Sequence, residues 1–196
     1  MRTIQAGVDA FATAMDQVGK AELRAEFLVE ECPAPARLAP QALALSAEAT
    51  EISGLDASGR FVLLHDADGV DEWEGTFRAV VFIRAAIEPD LAVDPMLHEV
   101  CWSWVEEAIS EAEAPLRLLG GTVTATSSTS FGSLTERPAQ TMVEVRASWT
   151  PAGTDDASPE SLMDRHVLAW GCLLAKAAGL VPLPPGVRQV GTRRST

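Results

Sequence analysis

A chain of 196 residues, 47% hydrophobic and 22% charged, is long enough to bury a core and too apolar to be a disordered segment. Its formal net charge of −13 argues against the clustered cations of a nucleic-acid binder. No apolar run approaches the roughly 18–20 residues of a membrane span, and the N-terminus lacks the compact apolar stretch of a secretory signal.

The order of elements reads α-β-β-β-β-α-β-β-α. Ile4, Val8, Phe11, Met15 and Val18 stand at helical spacing. Ala25, Phe27 and Val29 then alternate as a short strand that Pro33 must end. Leu43, Leu45, Ala47 and Ala49 alternate in a second strand. A turn is expected over 54–59, a buried strand over 61–65 and an acidic loop over 65–72. The strand over 75–87 is apolar on both faces and so belongs at the centre of a sheet.

Asp94-Pro95 opens a helix over 95–112. Leu97, Val100, Cys101, Trp104 and Ala108 form its core stripe. His98, Trp102, Val105 and Ile109 form a second, partly apolar face, read as an interface for self-association. Two strands, 121–131 and 141–149, make a hairpin with one apolar face and one Thr/Ser face. A last helix runs over 159–178, ended by Gly179. A polyproline-like PLPPGV follows, and 188–196 is a basic, flexible tail. The expected fold is one α+β domain over 1–187, an antiparallel sheet of five or six strands with two or three long helices on one face. Gly59 and Gly121, and Arg84 and Arg146, share an offset of 62 residues (121 − 59 and 146 − 84), which an internal hairpin–helix repeat and a chance similarity between two strand–strand–helix units explain about equally well.

The chemistry-bearing residues are sparse. Asp66 to Glu72 has Gly in the fourth place, not the sixth that a calcium loop requires, so it reads as a turn. His98 and Cys101 are two ligands at helical spacing, too few for a metal. Cys32, Cys101 and Cys172 contain no CxxC and suit free thiols in a reducing cytoplasm. No nucleophile elbow accompanies His65, and Gly120-Gly121 leads into a strand, where a phosphate loop leads into a helix. His65, Arg78, Arg84 and Arg146 are the residues that could serve an anionic ligand. No catalytic set, metal or cofactor is expected.

GRFVLLHD (59–66), WEG (73–75), WSW (102–104), GTVT (121–124), VRASWTP (145–151) and PLPPGV (182–187) resemble an actinobacterial family of unknown function, domain-of-unknown-function family 3000. The resemblance implies a cytoplasmic protein and carries no catalytic residues. The element order and acidity are also similar to secretion-chaperone-type domains, which are often dimeric. The resulting expectation is a non-enzymatic, protein-binding or chaperone-like adaptor with a protein partner or a homodimer. It engages neither nucleic acid nor membrane. The competing expectation is a small-molecule binder or enzyme with a pocket between sheet and helices.

Overall fold

Period-two alternation sorts the side chains of the central strands onto two unlike faces, and only one of those faces is apolar enough to demand a helical cover. The computed structural model describes residues 2–50, 55–137 and 139–181, with side chains from residue 10 onward. Its elements are α1 (Arg2–Val18), β1 (Phe27–Cys32), β2 (Gln41–Ala49), β3 (Ala57–Val70), β4 (Gly75–Ala86), α2 (Leu97–Glu111), β5 (Leu116–Ser128), β6 (Gln140–Pro151) and α3 (Met163–Ala177). The strands form one six-stranded sheet in the order β1-β2-β3-β4-β6-β5, each pair antiparallel. This is the α+β class and element order expected.

The covered face carries Phe61, Leu63 and His65 of β3, Phe77, Ala79, Val81, Ile83 and Ala85 of β4, and Val143, Val145, Ala147 and Trp149 of β6, all buried. The helices pack on this side. Phe11 of α1 stacks on His65, Trp170 of α3 lies 5.9 Å from the Phe61 ring, and Trp102 of α2 rests against Gly121 of β5. The opposite face is closed only in part. Ala44, Val62 and Leu64 are buried there beneath Ala34, Ala39 and Trp73, and Arg60 Nη2 holds the covering segment by donating to the Pro33 carbonyl.

Three local expectations are corrected. The third strand does not stop at residue 65: β3 runs to Val70 with an irregularity after His65, and pairing resumes at Val70 opposite Gly75. The reversal falls on Asp71–Glu74, where Glu74 is left-handed. Gly59 is no turn residue; it lies inside β3, and residues 51–54 lie outside the described residues. On α2 the buried stripe is Leu97, Cys101, Val105 and Ala108, while Val100 is exposed. Sheet contact on one flank and α3 on the other rotate the buried arc relative to the expected stripe. Asp94 does serve the start of α2, its carboxylate accepting the Met96 N–H at 2.8 Å. The expected polyproline stretch and basic tail lie outside the described residues.

Candidate functional site

Strand pairing decides which candidate residues can meet. His65 stands opposite Phe77, and Leu64 stands opposite Arg78. His65 therefore projects into the helix-covered core and Arg78 onto the other face, so the histidine and the arginines are not brought together. His65 is buried between the Phe11 and Phe77 rings, with Nδ1 donating to Gln41 Oε1 at 2.8 Å. Burial lowers its pKa, opposed in part by Asp66 and Glu160.

The three arginines do share a surface. Arg78 is half-buried and fully engaged. Its Nη2 donates to Ser148 Oγ at 2.7 Å, and its Nη1 donates to Thr150 Oγ1 at 3.1 Å and to the Leu118 carbonyl at 3.2 Å. The Leu118 carbonyl is turned to it by a bulge in β5 between Arg117 and Gly120, where Leu118 has φ 52°. Arg146 pairs with Glu144 at 3.3 Å and lies over the Phe82 ring at 5.4 Å. Arg84 stands opposite Glu144 in the register and is exposed. Arg60, opposite Phe82, extends the row, and Arg117, opposite Thr150, borders it. Five arginines of a chain with net charge −13 thus stand on the sheet face that no helix among the described residues covers. Between them lie half-buried Phe82, exposed Val80 and the exposed Thr122 and Thr124. Sequence alternation from Val62 and Leu64 would have added Arg60 to the set.

The interface residues expected on α2 divide. Val105 is buried; Trp102 and Ile109 are half-buried against the core; His98 is exposed.

Two pockets among the described residues bear on the site. The larger, about 510 Å³, lies between α3, the 22–24 segment and the end of α2, with apolar walls from Leu23, Leu168, Gly171, Ala175 and Leu180. Cys172 also lines it, its thiol pKa raised by burial. Both cations at its rim are already paired, Arg24 with Glu26 at 2.7 Å and Lys176 with Glu107 and Glu111 at 2.9 and 2.8 Å. The smaller pocket, about 350 Å³, does lie between sheet and helices, under Met15 and Val18 and over Val29, Leu43 and Leu45. None of His65, Arg78, Arg84 and Arg146 lines either pocket. The signal missed in the sequence was Gly171 in mid-helix: a side chain there would strike Leu23 Cγ at 2.8 Å. Among the described residues no group of three His, Cys, Asp or Glu side chains is placed to hold a metal, and no helix is long and apolar enough to cross a membrane.

Fold and surface together define an α+β protein with one helix-covered sheet face and one arginine-bearing open face. The chain belongs to the family described as Protein of unknown function (DUF3000), which it matches over residues 8–188. No curated protein and no solved structure matches it.

Proposed function

We propose that this is a non-enzymatic, cytoplasmic protein-binding domain of adaptor or chaperone-like type, and that its open face receives an acidic segment of a partner protein. The observation that carries the reading is the gathering of Arg60, Arg84 and Arg146 around Phe82 and Val80 on a face that no helix among the described residues covers. Arginine forks take carboxylates bidentately, and an aromatic among them supplies area to bury. Arg84 makes no ion pair among the described residues, so its guanidinium is available. The overall charge of −13 disfavours a long polyanion such as nucleic acid at a distance, whereas a short acidic segment meets the patch within a Debye length. Titrating labelled acidic, neutral and basic peptides against the chain tests this. Preference for the acidic set, lost in Arg84→Glu/Arg146→Glu with the melting temperature kept, supports it; equal binding of all three sets sinks it.

A second reading rests on the pocket of about 510 Å³, a volume suited to a small molecule. Because Arg24 and Lys176 are occupied by carboxylates, the pocket fits a neutral apolar ligand better than the anionic one expected from the sequence. Thermal shifts with neutral and anionic alkyl ligands, abolished by Ala175→Trp, would support this reading; no shift with either class would remove it.

A further inference from the structure

The two edges of the sheet are built differently. β1, at one edge, is six residues long, contains Glu30 and Glu31 and runs into Pro33 and Pro35. Brevity, charge and proline are the means by which natural sheets discourage a further strand. β5, at the other edge, has 13 residues. From Leu118 to Thr135 the chain contains no charged residue and no proline. Beyond the bulge, its register with β6 is unbroken from Gly120 to Ser128, and Thr and Val there favour an extended backbone. The outer N–H and C=O groups of β5 face no strand among the described residues.

α2 extends this edge into a surface. Trp102 lies against Gly121 of β5, while Glu107 and Glu111 reach Lys176 of α3. Trp102 and Glu111 are nine residues apart and so about 180° apart around the helix. The side of α2 carrying Trp102, with His98, Ile109 and the exposed Glu106 within about 40° of it, is therefore turned away from α3 and toward the free edge. The segment that continues β5 adds Phe131 and Leu134, both exposed.

We propose that β5 pairs antiparallel with β5 of a second copy of this chain, about a two-fold axis through Thr124. The stretch Thr122-Val123-Thr124-Ala125-Thr126 is self-complementary in that register. Thr122 of one copy faces Thr126 of the other, Thr124 faces Thr124, and Val123 faces Ala125 on the helix-covered side. Cross-strand threonine pairs are favourable, whereas like charges directly opposed are not. Two molecules of net charge −13 can come into strand contact where neither strand presents a charge, and β5 from Leu118 onward is such a place. An axis perpendicular to the sheet sets the Trp102 side of α2 beside its mate. It also joins the two arginine faces into one surface on the other side of a twelve-stranded sheet. An isologous contact of this kind closes on itself and leaves no new edge at β5.

Sedimentation of the full chain at micromolar concentration is expected to show twice the chain mass. Thr124→Lys and Thr124→Glu each oppose like charges at the axis and are each expected to sediment as monomers. Thr124 is exposed, so their melting transitions should remain cooperative, and mixing the two should restore a dimer. Thr124→Cys, oxidised, should cross-link through residue 124. A wild-type chain that is monomeric throughout overturns the proposal, as does a dimer that survives both charged variants. Should those variants fail to fold, amide exchange of the wild-type chain decides. Slower exchange in β5 with rising concentration supports the pairing; concentration-independent exchange refutes it. Peptide binding to the arginine face is read separately and can fail without affecting this outcome.

Discussion

Ile83 of β4 and Val145 of β6 lie directly opposite each other and are 62 residues apart (145 − 83), the same offset that separates Arg84 from Arg146. The flanking pairs, Arg84 with Glu144 and Phe82 with Arg146, are symmetric about that point. A local two-fold relation therefore holds between β4 and β6, while their outer neighbours depart from it by two residues: Gly59 stands opposite Ile83, but Gly121 stands opposite Ala147 where the offset would place Val145. The helices cross over between the β3–β4 and β5–β6 hairpins. α2, which follows the first hairpin, sets Trp102 on Gly121 of the second; α3, which follows the second, sets Trp170 on Gly59 of the first. In each hairpin a glycine thus seats the tryptophan carried by the helix that follows the other hairpin.

Gly121→Ala should be costly for that reason. An added Cβ would run into the Arg146 carbonyl and stand 2.9 Å from both Ala147 Cα and the Trp102 ring. Two of those neighbours are backbone and cannot turn aside, so a loss of about 1–3 kcal/mol is expected in urea unfolding. Gly120→Ala, with nothing within 4 Å of the new carbon, is the control and should stay within about 0.5 kcal/mol.

Acid should unfold the chain through its buried histidines. Trp149 Nε1 donates to His166 Nδ1 at 3.1 Å, so the proton of the neutral ring sits on Nε2, which has no partner among the described residues. Burial, with a smaller contribution from Arg165, lowers the His166 pKa to about 4, and His65 moves in the same direction. A depressed folded-state pKa means that the unfolded chain binds more protons. The contribution is complete above pH 6.5 and is lost as pH falls toward 4, on the order of 3 kcal/mol for His166. Replacing His166 with Gln should flatten the stability profile in that window; an unchanged slope would mean that carboxylates alone set it.

What the sequence disclosed and what it withheld follow from register. Alternation alone identified β2, β4 and the apolar face of β5 and β6, because one residue of slip would invert every side chain. It could not relate His65 to Arg78, since that depends on where the hairpin reverses. Asp66 to Glu72 has turn composition throughout, yet the chain stays extended to Val70 and turns over Asp71–Glu74. On α2, Val100 and Val105 are equally apolar, and only the position of the sheet beneath decides that Val105 is buried. The larger pocket was invisible because it is walled by a loop and two helix faces that no periodicity connects.

Thiol chemistry should be graded. Cys101 is fully buried and its pKa is pushed up to about 11 by burial; Cys172 is raised for the same reason but lines a pocket. Thiolate is the reacting species. Alkylation of the native chain near neutral pH should therefore reach Cys172 before Cys101, with Cys101 modified only on unfolding. Intact-mass spectra against time check this, and early loss of Cys101 would contradict its placement.

Arg78 is the one candidate arginine whose role the geometry makes structural. Its guanidinium ties β4 to Ser148 and Thr150 of β6 and to the bulged carbonyl of Leu118 in β5, and Thr150 Oγ1 in turn donates to the Trp73 carbonyl at 2.5 Å. A lysine keeps the charge but cannot span the three acceptors with a planar fork. Arg78→Lys should cost about 1–2 kcal/mol, the scale of one or two lost charge-assisted hydrogen bonds. Arg78→Met should cost more, because Thr150 is buried and loses a partner. Arg84→Met, at an exposed site on the same face, should leave stability within about 0.5 kcal/mol while weakening acidic-peptide binding. Denaturation midpoints and peptide titrations on the three variants separate the roles. If Arg78→Lys is as stable as wild type and binds acidic peptide less well, Arg78 belongs with the contact residues and its network is not what holds β4, β6 and the bulge of β5 together.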